Sequence, residues 1–258
     1  MWRHDRRLRY THMKEVNMET RVRGVAVILA GGTGTRAGTS IPKQLVTLAG
    51  KTMLEHSLAA FATAECIDDI YVVMHPEYLA AARRIADRFP KVRQIVPGGN
   101  TRIGSTNAAI TALAGMSPAT KVLFHDAARP LLEPRIITDC ILALDSYSAV
   151  GVAINSVDTI FAVDAQNLIV DIPTRAMLRR AQTPQAFRLK TIRAAYSSAM
   201  QDPDFTASDD CGVVHRYLPD VPIYVVAGSE QNLKITEPID MYIAEELFRK
   251  DCVNSRSE

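Results

Sequence analysis

The sequence predicts an α/β fold in which a mostly parallel sheet is covered by helices on both faces. Two observations carry this prediction. Short apolar segments alternate along the chain with longer amphipathic ones. The apolar segments are also continuous, which is typical of strands buried on both faces. The predicted strands of the first half are VAVILA (25–30), IYVVMH (70–75), RQIVPG (93–98) and KVLFHD (121–126), and the predicted helices are 52–64, 76–89, 102–115 and 134–146.

The pattern changes after about residue 147. Three strand-like pieces follow one another without helical segments between them, which predicts an antiparallel arm or hairpin. These pieces are AVGVAIN (149–155), DTIFAVD (158–164) and LIVDIP (168–173). Helices are predicted again at 189–201 and 208–218, followed by a strand at 221–228 and a closing helix at 238–250. We therefore expect one domain over residues 23–252, with an embedded arm at about 154–176.

The composition of the 258-residue chain, with 47% apolar and 22% charged residues, is that of a soluble globular protein. Residues 1–24 hold seven Arg or Lys against three acids, which leaves −2 for the remainder of a chain whose net charge is +2. The folded part therefore has no basic surplus that would indicate nucleic-acid binding. No apolar run is long enough for a signal peptide or a membrane span. Residues 1–22 are interpreted as a disordered basic extension, and four cysteines without a C-x-x-C motif fit a cytoplasmic protein.

The stretch VAVILAGGTGTRAGTSIPKQ (25–44) runs from a predicted strand into a glycine-rich loop. Residues 32–37 (GTGTRA) formally satisfy the dinucleotide-binding fingerprint, but the second predicted strand ends in Met74-His75 and supplies no acid for a ribose. The Walker sequence G-K-[S/T] is absent. The amides of such a loop can still surround phosphate oxygens, and Arg36 and Lys43 could neutralise charge on a triphosphate. The simpler alternative is a turn with solvated cations.

Two further segments contain residue types suited to nucleotide chemistry. In HDAARP (125–130), Asp126 ends a predicted strand and Arg129 follows three residues later, a pair suited to Mg²⁺ or hydroxyls and to a phosphate. In PGGNTRIGS (97–105), backbone groups and polar side chains could face a base or a ribose. Each segment alone is also compatible with a capped turn, or with a loop and a helix start.

Seven motifs, taken together and in this order, resemble those of a known family. They are LAGGTGTR…PKQ, GGxxRxxS, HDAARP, DT, R(x)7TPQxF, SDD and NLKIT, and they span about residues 24–250. The chain resembles the cytidylyltransferases of sugar-alcohol phosphates, whose acceptors include 2-C-methyl-D-erythritol 4-phosphate and D-ribitol 5-phosphate. The resemblance implies a Rossmann-like nucleotidyltransferase fold and a homodimer formed through the arm. It also implies CMP transfer from CTP to a polyol phosphate, with Mg²⁺ as cofactor and pyrophosphate as the second product.

The same resemblance implies roles for individual residues. The catalytic cations would be Arg36, Lys43 and Lys234. The CTP site would comprise Leu29, Ala30, Gly31, Gly32, Gly34, Gly99, Asn100, Ser105 and Ala127. The acceptor site would comprise Asp126, which is also the implied metal ligand, with Arg129, Thr159, Arg175, Thr183 and Ser208. Thr159 and Arg175 would reach over from the partner subunit. Asn100 stands where the family commonly has an acid, and Ser208 stands where threonine is usual.

The choice of acceptor depends on small differences within the family. Leu29 precedes Ala-Gly-Gly where methylerythritol enzymes commonly read P-A-A-G, and residues 158–161 read D-T-I-F where they read D-T-I-K. DIPTR (171–175) and NLK (232–234) also look closer to ribitol-phosphate enzymes, whereas HDAARP is the usual methylerythritol form. The sequence therefore favours D-ribitol 5-phosphate, with 2-C-methyl-D-erythritol 4-phosphate as the alternative. Because a 258-residue chain has no room for a fused reductase, a separate reductase is the expected source of ribitol 5-phosphate.

Two functions from other classes are also considered. An NAD(P)-dependent reductase would use residues 32–37, but it lacks the acid at the end of the second strand and leaves the other motifs unexplained. A nucleotide-binding regulator without catalytic activity would have no need of the three cations Arg36, Lys43 and Lys234.

Overall fold

The chain forms a central sheet of seven strands between two layers of helices. The computed structural model describes residues 22–32 and 41–254, so the predicted basic extension lies, except for Val22, outside the described residues. The strands in chain order are β1 (Gly24–Ala30), β2 (Thr47–Leu48), β3 (Lys51–Thr52), β4 (Asp69–Met74), β5 (Val92–Pro97), β6 (Lys121–Asp126), β7 (Ala149–Asn155), β8 (Ala162–Val163), β9 (Ile169–Asp171), β10 (Arg179–Arg188) and β11 (Ile223–Ala227).

The seven strands lie in the order β11-β7-β10-β6-β1-β4-β5. Strands β6, β1, β4 and β5 pair in parallel, and so do β7 and β11, whereas β10 runs antiparallel to both of its neighbours. Two small hairpins, β2 with β3 and β8 with β9, stand apart from this sheet. The mostly parallel α/β fold predicted from the sequence is confirmed.

The continuous apolar run of β1 is explained by burial on both of its faces. Ala26, Ile28 and Ala30 belong to one hydrophobic cluster, while Val25 and Val27 belong to the cluster on the other side of the sheet. Because successive side chains of a strand point to opposite faces, a strand covered on both sides favours apolar residues at every position. The same reason accounts for the apolar centres of the buried strands β4 and β6, whose buried polar residues lie at or near the strand ends and have hydrogen-bond partners.

Among the described residues, six α-helices cover the two faces of the sheet. The first face is covered by α1 (Met53–Thr63), α2 (Leu79–Ala86) and α4 (Pro134–Ala143), and the second by α3 (Arg102–Ala112), α5 (Leu189–Ala199) and α6 (Asp210–Tyr217). A seventh helix, α7 (Pro238–Asn254), packs Ala244 against Leu48 in a third, smaller cluster. Among the described residues, no helix combines the length and apolar character needed to cross a bilayer.

Local sequence fixes where several helices begin. Thr52 and Glu55 form a capping box at the start of α1, in which the hydroxyl of Thr52 accepts from the amide of Glu55 at 3.2 Å and the Glu55 carboxylate accepts from the amide of Thr52 at 2.7 Å. Thr101 caps α3 and Asp209 caps α6, each accepting from the amide three residues later.

The second half differs from the sequence-based expectation in two ways. AVGVAIN does not belong to an arm, because it forms β7 in the central sheet, where Ala149, Val150 and Val152 are buried. The sequence-based grouping of AVGVAIN with the two later pieces is therefore wrong, and β8 and β9, which lie within the predicted arm at about 154–176, form the separate hairpin. The sequence also gives no sign of β10: its polar residues hide the apolar pattern, and Pro184, after a cis peptide bond, lies where the register shifts between Gln182 and Gln185.

Candidate active site

A cleft of about 630 Å³ lies at the carboxyl ends of the parallel strands β1, β4, β5 and β6. Ligands bind at this edge in open α/β sheets, because the loops after neighbouring parallel strands meet there. The described residues that line the cleft are Leu29, Ala30, Gly31, Gly32, Lys43, Gln44, His75, Gly99, Asn100, Thr101, Arg102, Ser105, Asp126, Ala127, Ala128, Lys234 and Thr236.

The cleft brings together the residues that the sequence predicts for CTP. Gly34 and Arg36 lie outside the described residues. The other predicted CTP residues all line the cleft, together with Lys43, Asp126 and Lys234. The remaining predicted acceptor residues are not among the described lining residues, namely Arg129, Thr159, Arg175, Thr183 and Ser208.

Two glycines allow neighbouring loops to approach closely beside the cleft. A Cβ atom on Gly31 would lie 2.9 Å from Oγ of Ser105, and one on Gly99 would lie 2.8 Å from the carbonyl carbon of Gly104. A side chain at either position would force the loops apart. Gly31 therefore sets the spacing between the loop after β1 and the first turn of α3, and Gly99 sets the spacing between the loop after β5 and the same turn.

The side chain of Gln44 holds the beginning of the glycine-rich loop. Its Nε2 group donates to the carbonyl of Gly32 at 2.7 Å and also to the carbonyl of Ala30. Gln44 is buried, so these bonds are shielded from competing water. This amide fixes the direction in which the chain leaves β1.

Asp126 ends β6 as a buried carboxylate between two cations. Nζ of Lys234 donates to Oδ2 of Asp126 at 2.8 Å, and Nε of Arg102 donates to Oδ1 at 3.3 Å. Burial alone would raise the pKa of Asp126, but Arg102 and Lys234 outweigh burial and hold that pKa well below its usual value. The carboxylate therefore stays ionised at neutral pH.

A chain of hydrogen bonds fixes the turn that follows β6. Oγ1 of Thr183 accepts from the amide of Asp126 at 3.1 Å and lies 3.1 Å from Nδ1 of His125, while Nε2 of His125 lies 3.0 Å from the carbonyl of Arg129. Since a carbonyl only accepts, Nε2 carries the proton and Nδ1 accepts from the hydroxyl of Thr183. Burial lowers the pKa of His125 to about 4, which keeps the ring neutral. Both hydrogen bonds of the Thr183 hydroxyl are therefore made to groups of the protein.

Removing this hydroxyl is expected to destabilise the fold. Thr183→Val leaves the buried amide of Asp126 and the buried Nδ1 of His125 without their partner, which should lower the free energy of unfolding by about 1–3 kcal/mol. Urea unfolding of the purified variant at pH 7 measures the change. Thr183→Ser keeps the hydroxyl and serves as the matched control. If the valine variant proves as stable as the serine variant, the hydroxyl does not hold the turn.

The segment that carries Lys234 is attached to β10 through Asn232, which is fully buried. Nδ2 of Asn232 donates to the carbonyl of Thr183 at 2.8 Å and to Oε1 of Gln182 at 3.3 Å. The guanidinium of Arg129 donates to the carbonyl of Asn232 at 2.7 Å. Arg129 thus contacts the protein backbone here, and its predicted contact with the acceptor stays a prediction.

The two lysines of the cleft meet at this same segment. Nζ of Lys43 donates to the carbonyl of Ile235 at 2.8 Å, next in sequence to Lys234. The amide of Ile235 in turn donates to the carbonyl of Ala128 at 2.8 Å, in the turn after β6. Two ammonium groups that are 191 positions apart in the chain are therefore presented to one cleft.

Three predicted acceptor residues lie on exposed segments away from the cleft lining. Thr159 and Arg175 belong to the segment between β7 and β10, and Nη1 of Arg175 donates to the carbonyl of Val157 at 3.1 Å. Ser208 is exposed just before α6. Their assignment to the acceptor stays a prediction.

Six of the described lining residues have no role predicted from the sequence, namely Gln44, His75, Thr101, Arg102, Ala128 and Thr236. Two of them, Gln44 and Arg102, hold the glycine-rich loop and Asp126. Both lie inside the motifs, since Gln44 ends P-K-Q and Arg102 is the arginine of G-G-x-x-R-x-x-S. Their places within these motifs, next to residues with predicted roles, were the available signal. What the sequence could not supply is the partner of each side chain, which comes from a different strand or helix.

The fold and the cleft together define a nucleotidyltransferase, in which closely apposed glycine loops and two lysines surround an ionised carboxylate. Comparison with known proteins shows which family of nucleotidyltransferases this is. The profile of the IspD family, described as 2-C-methyl-D-erythritol 4-phosphate cytidylyltransferase, matches residues 25–250. The chain belongs to this family.

Individual relatives agree with this assignment. The 2-C-methyl-D-erythritol 4-phosphate cytidylyltransferase of Thermobifida fusca is 48% identical over 235 residues, covering 89% of this chain and 94% of that protein. The bifunctional ribulose 5-phosphate reductase/CDP-ribitol pyrophosphorylase of Haemophilus influenzae is 45% identical over 88% of this chain, which spans 48% of that protein's length. The crystal structure of the 4-diphosphocytidyl-2C-methyl-D-erythritol synthase of Anaerococcus prevotii matches with a TM-score of 0.78 and 27% identity, covering 88% of this chain and 96% of that one.

These findings confirm the predicted family and the predicted enzyme class, a cytidylyltransferase that uses CTP and a phosphorylated sugar alcohol. The reductase and the regulator considered from the sequence are thereby set aside. For the acceptor, the findings do not favour ribitol 5-phosphate, since the family description and the 48% identical relative both name the methylerythritol substrate. The alternative acceptor of the sequence analysis is the better supported one.

Proposed function

We propose that this protein transfers CMP from CTP to 2-C-methyl-D-erythritol 4-phosphate. The observation that carries the choice of reaction is the cleft itself, where Lys43, Lys234 and the Asp126 carboxylate adjoin the predicted CTP loops. The choice of acceptor is supported by the family match over residues 25–250 and by the 48% identical relative of that name.

The chemistry needs positioned charge and no covalent intermediate. An oxygen of the acceptor's phosphate attacks the α-phosphorus of CTP, the bond from that phosphorus to the bridging oxygen of the β-phosphate breaks, and pyrophosphate leaves. Negative charge builds on the α-phosphate during this exchange, and the ammonium groups of Lys43 and Lys234 would offset it. The backbone at Gly31 and Gly32 would hold the triphosphate, so that binding supplies much of the alignment.

Asp126 would hold the Mg²⁺ ion that the family implies. The donor set fits this ion, because Mg²⁺ typically takes one or two carboxylates and completes its shell with water and substrate phosphates. Asp126 supplies one ionised carboxylate in the cleft, and residues 22–32 and 41–254 contain no group of three or more His, Cys, Asp or Glu side chains arranged to hold a metal ion by themselves. When bound, the ion would neutralise part of the charge of the triphosphate.

The acceptor is tested by measuring pyrophosphate release from CTP and Mg²⁺ with each polyol phosphate in turn. We expect release with 2-C-methyl-D-erythritol 4-phosphate and a kcat/KM at least about tenfold lower with D-ribitol 5-phosphate. Release with ribitol 5-phosphate alone would reverse the assignment. Release with neither compound would leave the proposed acceptor class wrong.

D-ribitol 5-phosphate is the second candidate acceptor. It is supported by the 45% identity to the CDP-ribitol pyrophosphorylase of Haemophilus influenzae, only slightly below the identity to the methylerythritol enzyme. That relative is by name also a ribulose 5-phosphate reductase, and this chain spans 48% of its length. If ribitol 5-phosphate is the acceptor here, a reductase that forms it is the expected source of the substrate.

We also propose that the arm, residues 154–176 with the following turn, joins two copies of the chain. The segment between β7 and β10 exposes an unusual number of large apolar side chains for a surface hairpin. These are Val157, Ile160, Phe161, Val163, Leu168, Ile169, Val170, Ile172 and Met177. A second copy would cover them and would bring Thr159 and Arg175 to the partner's cleft.

Mixed dimers test this arrangement directly. Lys43→Ala inactivates the cleft of its own subunit, and Arg175→Ala inactivates the cleft of its partner. Each heterodimer then keeps one intact site, so random mixing of the two inactive variants should restore about a quarter of the wild-type activity. The assay is pyrophosphate release after mixing under conditions that exchange subunits. If Arg175 serves its own subunit, no activity returns.

A further inference from the structure

We propose that Arg102 is a positioning residue, which holds Asp126 in place as its permanent counter-ion and thereby frees Lys234 to engage CTP. The inference rests on the proposed function only in that CTP is the nucleotide substrate. Arg102 contacts both the cleft and the protein interior, and this double contact carries the argument.

The guanidinium of Arg102 bridges two carboxylates from different elements. Its Nε donates to Oδ1 of Asp126 at 3.3 Å, and its Nη2 lies 2.9 Å from Oδ2 of Asp210. Asp126 ends β6 and lines the cleft, whereas Asp210 is the first residue of α6 and is fully buried. The planar fork of an arginine suits such a bridge, because its donors point in fixed and different directions.

The anchoring carboxylate is itself held rigidly. Oδ1 of Asp210 accepts from the hydroxyl of Tyr196 at 2.5 Å, and the amide of Asp210 donates to Oε1 of Gln185 at 2.9 Å. Tyr196 and Gln185 are both buried, one on α5 and the other on β10. Arg102 is therefore fastened to the core at one end, while its other contact reaches the cleft.

The two cations that contact Asp126 differ in their freedom. The side chain of Lys234 is 41% exposed, and that of Arg102 is 22% exposed. Lys234 is the cation that can turn toward a bound phosphate, whereas Arg102 is fixed between two acids. A buried carboxylate that loses its only counter-ion is strongly destabilised. With Arg102 in place, Lys234 can move away from Asp126, because the carboxylate still has Arg102 as its counter-ion.

A double-mutant cycle tests the proposal. Arg102→Met removes the guanidinium and keeps an apolar stem, and Asp126→Asn removes the carboxylate through which Arg102 is argued to act. We expect Arg102→Met alone to weaken CTP binding and to lower kcat, each by about tenfold or more, and to change both by less than about threefold when Asp126 is already asparagine. Isothermal titration with CTP and steady-state assays supply the two readouts.

The matched control is Arg93→Met. Arg93 also pairs with a buried aspartate, Asp69, which keeps Arg23 as a second partner just as Asp126 keeps Lys234. Arg93 is not among the described residues of the cleft, so its replacement should leave CTP affinity and kcat unchanged. Arg102→Lys, which keeps the charge but not the two-sided fork, should restore only part of the loss.

An equal effect of Arg102→Met in both Asp126 backgrounds would overturn the proposal, since a structural role or a direct contact with CTP does not depend on Asp126. If Arg102→Met fails to fold, Asp210→Asn weakens the ion pair that holds Arg102. The double-mutant cycle is then run with Asp210→Asn and Asp126→Asn, and an equal effect of Asp210→Asn in both Asp126 backgrounds would again overturn the proposal. CTP titration needs no acceptor. A protein that uses neither polyol phosphate would therefore refute the assigned acceptor and still decide the role of Arg102.

Discussion

Lys43→Ala is expected to lower kcat for CMP transfer by about 10²- to 10⁴-fold. Lys43 lines the cleft, and its ammonium is held 2.8 Å from the carbonyl of Ile235. A positioned cation lowers the barrier because it offsets the charge that develops on the α-phosphate in the transition state. Alanine removes this charge, and nothing of the side chain remains to restore it.

The measurement is the initial rate of pyrophosphate release at saturating CTP and acceptor. Lys51→Ala is the matched control, since Lys51 is an exposed lysine on the nearby strand β3 and does not line the cleft. The control should retain wild-type kcat. A rate for Lys43→Ala within about threefold of wild type would remove Lys43 from the catalytic machinery.

Lys234→Met should also lower kcat, by about 10²-fold or more, with little change in stability. The lysine is partly exposed, so burial contributes little to the free energy of unfolding, and Arg102 still pairs with Asp126. The expected loss therefore belongs to the reaction and not to the fold. Methionine keeps an unbranched apolar side chain one atom shorter than that of lysine and removes the ammonium group.

Comparing kcat with KM for CTP separates two roles of Lys234. A fall in kcat at unchanged KM indicates that its charge acts only in the transition state, while a rise in KM indicates ground-state binding. Lys190→Met, at an exposed position of α5, is the control for replacing a lysine by methionine. An unchanged kcat and KM for Lys234→Met would contradict the role proposed for it.

Much of the fold could be predicted from sequence because its signals are local. Strand β1 is a continuous apolar run because both of its faces are covered, and β6, with an apolar centre that is also covered on both faces, has the predicted bounds. Helix α1 starts at its capping box. Strand β10 could not be predicted this way, because Gln182, Thr183 and Gln185 look like loop residues until their partners on other elements are known.

Those parts of the candidate site that lie within one motif could be predicted from the sequence. The glycine loops and the cleft lysines of the described residues lie where the motifs place them. The contact between Arg102 and Asp210 could not be predicted, because 108 positions separate the two residues and neither periodicity nor spacing indicates it. The motifs predict which residue types lie at the site, and the three-dimensional structure shows which of them pair.

Strand β10 has a consequence for how this protein tolerates changes in chain length. Through three neighbouring side chains it contacts the turn after β6, the Lys234 segment and the start of α6. Phe187 and Ala186 face opposite hydrophobic clusters, so an insertion of one residue upstream of them within the strand would exchange the two faces and misplace all three attachments together. A change of length in the segment before Arg179 leaves the register of β10 intact. Insertions and deletions among homologues should therefore be absent from Arg179–Arg188.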